Sequence, residues 1–192
     1  MLAARYLAGY PPELIAQAEA LRLDGRLADH LARRLPDRHE VRSDTALFDY
    51  VQELKNRHIR NAGPLQYVGF DAKLRVLQQA LGTHTRRTQV QGAKLKTRRE
   101  IRVATLFREA PAALLNMIVV HELAHLRELD HNKAFYQLCQ HMEPDYFQLE
   151  FDLRLYLMNM ENPAGGPSDG PSLAGPRPLG GPADVLGGRG AP

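Results

Sequence analysis

The stretch from Ala112 to Leu126, AALLNMIVVHELAHL, constrains this chain more than any other. It follows Pro111, a residue suited to the first turn of a helix, and it is apolar almost all the way round. A helix of that kind must be buried on most of its surface. Yet it carries His121, Glu122 and His125. Two imidazoles and a carboxylate are costly to desolvate without partners, so the fold has to wrap this helix and also supply something for those three groups to bind. The apolar run Ala112 to Val120 is broken by Asn116 and falls far short of the ~20 residues that span a bilayer.

The three polar residues form His121-Glu122-Leu123-Ala124-His125, an HExxH. Positions i and i+4 lie one turn apart on one helix face, so both imidazoles can reach one zinc. Glu122 projects beside that point, where a carboxylate can take a proton from a metal-bound water. A catalytic zinc needs a third protein ligand and one open position. His131 is the nearest candidate. On a straight helix it would lie ~9 Å further along the axis, so the chain must turn between Leu129 and Asn132, and Asp130 and Asn132 tolerate such a turn. His141, Glu143, Asp145 and Glu150 compete for the same role.

Around this helix the pattern predicts an α+β fold. The first 82 residues read as helices, including one from Pro12 to Leu23 stopped by Asp24-Gly25, one from Arg26 to Leu35, and one capped by Ser43 or Asp44. Leu65 to Phe70 reads as extended, and Asp71 as the cap of a helix carrying Leu74, Leu77 and Leu81. Residues 83–105 turn rich in threonine and β-branched types and read as a hairpin or small sheet, with Gln91-Gly92 as the turn and Ile101 to Thr105 as a strand. Phe135 to Met160 is helical again, interrupted near Pro144. From residue 162 onward come nine glycines and seven prolines, with too little apolar surface to offset ordering entropy, so 162–192 reads as a disordered tail. The expected organisation is a helical region over 1–82, a core over 83–161, and that tail.

The net charge is only +3, but it is unevenly spread. Arg86, Arg87, Lys94, Lys96, Arg98, Arg99 and Arg102 stand against Glu100 alone, a local surface able to meet phosphates or nucleic acid, or a solvated face guarding a sheet edge. A single cysteine, Cys139, excludes an intrachain disulfide and a CxxC knuckle; it reads as a core residue. The N-terminus has too short an apolar stretch for a signal peptide, so a cytoplasmic location is expected, with no membrane partner.

Val119-Val120-HELAHLRELDHNKAF, followed by CQHMEPDY over 139–146, resembles the YgjP-like metallopeptidase family of metal-dependent hydrolases, as do the Ile101-Arg102-Val103 strand and Pro111. The resemblance covers residues 83–160. It implies a zincin-like core, with a small sheet packed on the HExxH helix and a following helix bearing the third histidine. Carried over by position, His121, His125 and His131 bind Zn(2+), and Glu122 is the general base. Glu128 stands where metzincins have their turn glycine, so that clan is not assigned. Tyr136 stands where family members often have tryptophan.

The activity expected on these grounds is a zinc-dependent hydrolase, foremost a metallopeptidase, with Ile101, Arg102 and Val103 holding a peptide or protein substrate as an added strand. Tyr136, His141 and Tyr146 are the candidates for a second electrophile. Two alternatives use the basic 86–102 segment: a nucleotide phosphoanhydride hydrolase, or a protease recruited to nucleic acid, as in SprT-like and WLM relatives of the motif. A structural zinc closed by His141 would make the protein a non-enzymatic adaptor.

Overall fold

Ser43 shows how local chemistry sets the elements. Its hydroxyl accepts the Ala46 N–H at 3.1 Å and opens a helix over Asp44–His58. The computed structural model describes residues 1–74 and 99–161. Before Ser43 come α1 (Leu2–Tyr6), α2 (Pro12–Leu23) and α3 (Leu27–Arg34), with Asp44–His58 as α4. Pro12 begins α2, and Gly25, at φ +71°, makes the turn into α3 that a side chain would resist.

Two strands follow, β1 (Tyr67–Asp71) and β2 (Glu100–Ala104). They pair in parallel, with Tyr67 opposite Glu100 and Asp71 opposite Ala104. The described partner of the Ile101 strand is thus the Leu65–Phe70 segment and not an adjacent hairpin arm. Parallel strands cannot be joined by a tight turn, and β1 and β2 are well separated in the sequence. The expected Thr83–Val90 arm, the Gln91-Gly92 turn, the Leu77 and Leu81 helix positions, basic residues 86–98 and the 162–192 tail all lie outside the described residues. Asp71 ends β1, and its carboxylate accepts the Lys73 N–H at 2.8 Å.

After a 3-10 turn over Thr105–Arg108 come α5 (Ala112–Ala124), α6 (Lys133–Met142) and α7 (Tyr146–Glu161). As its composition requires, α5 buries Leu114, Leu115, Met117, Val119, Val120, Leu123 and Ala124. It packs on β2 on one side and on α4, α6 and α7 on others. The small sheet against the HExxH helix and the surrounding helices make an α+β fold. One apolar core runs from Ala3 to Met158, so α1 to α3 share it with α5 and α7. Polar ties reinforce this: Ala3 N–H donates to Glu19 at 2.8 Å, Arg154 to the Tyr6 carbonyl at 3.1 Å, and Arg34 to the fully buried Asp152 at 2.9 Å. No helix among the described residues is long and apolar enough to cross a membrane.

Candidate metal centre

Helix α5 ends inside its own motif. Ala124 is its last residue, and His125 caps it with φ −64° and ψ −13°. The chain then tightens: Leu126 N–H donates to Leu123, Arg127 and Glu128 N–H both to Ala124, and Asn132 N–H to Asp130 at 2.7 Å. Asn132 next opens α6 by accepting the Phe135 N–H on its side chain at 2.9 Å. These two caps enclose the turn and fold His131 back over the preceding helix.

The result brings three imidazole nitrogens together. His131 Nε2 lies 3.2 Å from His121 Nε2 and 3.0 Å from His125 Nε2. Two nitrogens bound tetrahedrally to one zinc at ~2.0–2.1 Å would sit ~3.3–3.4 Å apart, so this spacing fits a shared cation. The outer nitrogens are engaged. His125 Nδ1 lies 3.0 Å from the Glu128 carbonyl oxygen, which accepts only, so Nδ1 carries the proton there and Nε2 presents its lone pair to the centre. His121 Nδ1 lies 2.7 Å from the Tyr146 hydroxyl. A bonded outer nitrogen, with the inner one turned toward the ion, is the usual dress of a metal-binding histidine.

Phe135 forms the floor. Its ring is fully buried and lies 5.0, 4.5 and 4.6 Å, centroid to centroid, from His121, His125 and His131. Glu122 is half-buried beside the first histidine, and its burial raises the carboxyl to about 7. Such a carboxyl can both take and release a proton near neutrality.

Of the His, Cys, Asp and Glu side chains among the described residues, His121, His125 and His131 are the three gathered closely enough to hold a metal. The competitors are elsewhere. Glu143 accepts from Asn116 Nδ2 at 2.6 Å and from the Asp145 N–H at 3.1 Å. His141 is exposed and packs edge-on to His58 at 6.1 Å, which does not suit a closing fourth ligand. The expected second electrophiles separate as well. Tyr146 reaches the outer nitrogen of His121, away from the Nε2 side, so that geometry gives it no direct place on a substrate. Tyr136 is half-buried, with its ring 6.1 Å from that of His131, centroid to centroid.

The substrate-strand expectation narrows. Ile101 and Val103 are 1% and 0% exposed, because alternation along β2 turns both into the core. Only their backbone could meet a substrate. Arg102 faces out, but its guanidinium is shared between Asp71 and Glu100, each at 3.2 Å, and lies over the Tyr67 ring. Sequence reading missed the site roles of Phe135 and Asn132. The signal for Phe135 was an aromatic side chain four residues after His131, in the first turn of the helix that Asn132 opens.

The family model for the YgjP-like metallopeptidase domain matches residues 32–156. The chain belongs to that family. It is therefore a metal-dependent hydrolase. The YgjP-like match begins well before the motif region and takes in α4, β1 and part of α3, whereas the motifs alone had pointed to residues 83–160. Among curated proteins, the UTP pyrophosphatase of Escherichia coli (strain K12) is 57% identical over 155 residues, which covers 81% of this chain and 93% of the relative. No solved structure matches the chain.

Proposed function

We propose that this YgjP-like protein is a zinc-dependent nucleoside triphosphate pyrophosphatase, with UTP as its first candidate substrate. The observation that carries this reading is the 57% identity, over 93% of its length, to a relative named UTP pyrophosphatase. It favours the nucleotide alternative over the metallopeptidase expectation. Identity at that level, with the HExxH helix and His131 gathered as described, supports a common chemistry. A cytoplasmic location belongs to the same proposal.

In this reading His121, His125 and His131 hold the zinc through Nε2. When bound, zinc supplies positive charge to a phosphoryl oxygen and acidifies a water. The carboxylate of Glu122 accepts the proton of the attacking water and keeps it on a carboxyl oxygen until the leaving group can take it. The bond broken is the one joining the α-phosphorus to the bridging oxygen, and the products are a nucleoside monophosphate and pyrophosphate. The Glu128 carbonyl and Phe135 hold the imidazoles in place while charge builds. Cations of the 86–102 segment complement a triphosphate. The peptidase reading would use the same ligands and base, and differs only in the bond attacked.

The test is pyrophosphate release by the zinc-loaded protein from UTP, other nucleoside triphosphates and unstructured peptides. Pyrophosphate from UTP that disappears in Glu122→Gln, with peptides left intact, supports the proposal. Peptide cleavage without nucleotide hydrolysis overturns it and restores the peptidase. Salt-sensitive DNA binding alongside peptide cleavage would point to a nucleic-acid-associated protease.

A further inference from the structure

Helix α5 grips the start of α7 at two points. Near its beginning, Asn116 accepts from the Tyr50 hydroxyl at 2.9 Å and donates to Glu143 at 2.6 Å, while the other Glu143 oxygen accepts the Asp145 N–H. This polar clamp links α4, α5 and the α6–α7 turn, and it fixes where α7 begins. About 1.4 turns later along α5, His121 Nδ1 meets the hydroxyl of Tyr146, the first residue of α7. The Tyr146 ring is 1% exposed and lies nearly parallel to that of His121, with the planes 16° apart. The fully buried Cys139 thiol of α6 neighbours that phenol.

A buried phenol needs a partner for both its lone pair and its proton. Here the direction of the chain follows from the metal reading. With His121 Nε2 facing a cation, its proton is on Nδ1 and donates to the Tyr146 oxygen. The Tyr146 proton is then directed at the Cys139 sulfur, a weak acceptor.

We propose that Tyr146 is a positioning residue of the metal centre: its hydroxyl receives the Nδ1 proton of His121, fixes that tautomer and ring angle, and is itself aimed by Cys139 and by the Tyr50–Asn116–Glu143 clamp. This differs from an electrophile acting on substrate. A phenol in place of the carboxylate or carbonyl that often backs a metal-bound histidine keeps the donor arrangement without adding a negative charge. The proposal rests on the three-histidine metal reading and is independent of which substrate is cut.

Tyr146→Phe tests it, because the ring stays and only the oxygen is lost. Zinc affinity is measured by competition with a chelator, with circular dichroism as the fold control. Loss of such a partner weakens metal binding by about 10- to 100-fold, and that is the expected result for a folded variant. Wild-type affinity in Tyr146→Phe overturns the proposal. Should the variant not fold, nitrogen–proton spectra of the wild-type zinc form decide. A slowly exchanging imidazole N–H of His121, close in space to Tyr146, is expected, and its absence overturns the proposal. Wild-type protein that binds no zinc overturns the metal reading and this proposal with it. UTP turnover enters none of these readouts, so a wrong substrate and a wrong role for Tyr146 are told apart.

Discussion

Replacing Phe135 with alanine separates how the centre is built from what it does. The ring is fully buried and touches no solvent, yet all three histidine rings rest within 5.0 Å of it, centroid to centroid. Two consequences can be sized. Truncating a core phenylalanine costs about 3–5 kcal/mol through lost burial and the cavity left behind. The three imidazoles also lose the surface that limits their rotamers. An ordered side chain that regains its freedom is worth about 0.5–1 kcal/mol, so three of them come to ~1.5–3 kcal/mol that metal binding must then supply. That weakens zinc binding by roughly ten- to a hundredfold. Urea unfolding of wild type and variant, both stripped of metal, gives the first number free of any ligand contribution. Chelator competition for zinc gives the second. A variant that loses the stability but binds zinc as tightly as wild type would refute the idea that Phe135 preorganises the triad.

Three further outcomes are expected. Asn132→Ala removes the cap that accepts the Phe135 N–H and should cost ~1 kcal/mol in urea unfolding, while Asn132→Asp, which keeps an acceptor, should cost less. Glu19 accepts from Arg22 and from the Ala3 N–H, which hold its carboxyl below the usual range. The native state therefore binds fewer protons than the unfolded chain, and the stability this gives is present above about pH 4.5 and lost as pH falls below it; Glu19→Gln should flatten that acid limb in a pH series of unfolding midpoints. Glu122→Gln should lower kcat by ~10²–10⁴-fold with the fold unchanged, as read by steady-state pyrophosphate release and circular dichroism.

Some of this was legible in the sequence, and the boundary has a physical shape. The pairing of His121 with His125 is a property of one helix turn, so four residues suffice to read it. The all-round apolar composition of α5 was enough to foresee its burial. His131 needed more, since its return depends on backbone bonds to Leu123, Ala124 and Asp130 that no residue type demands. The sheet is further from reach. The partner of Ile101 is Val68, and local pattern favours a neighbour joined by a turn over a parallel partner well separated in the sequence. Tyr146 stood out as an aromatic near the motif, but its role depends on where α7 comes back against α5. Arg102 was counted with the basic segment and placed on the substrate strand, and the two carboxylates that hold it come one from each strand, Asp71 of β1 and Glu100 of β2. Local periodicity reaches the ligands on one helix; tertiary return decides the third ligand, the floor and the residues behind them.

In the proposed centre three histidines hold a metal, with Glu122 beside it and not among the ligands. Elemental mass spectrometry on purified wild type, His131→Ala and Glu122→Gln tests it most directly. Near-stoichiometric zinc in wild type, retention in Glu122→Gln, and loss of most of the metal in His131→Ala are expected. Wild-type protein that stays metal-free after reconstitution with zinc, or His131→Ala that keeps a full complement, would contradict it.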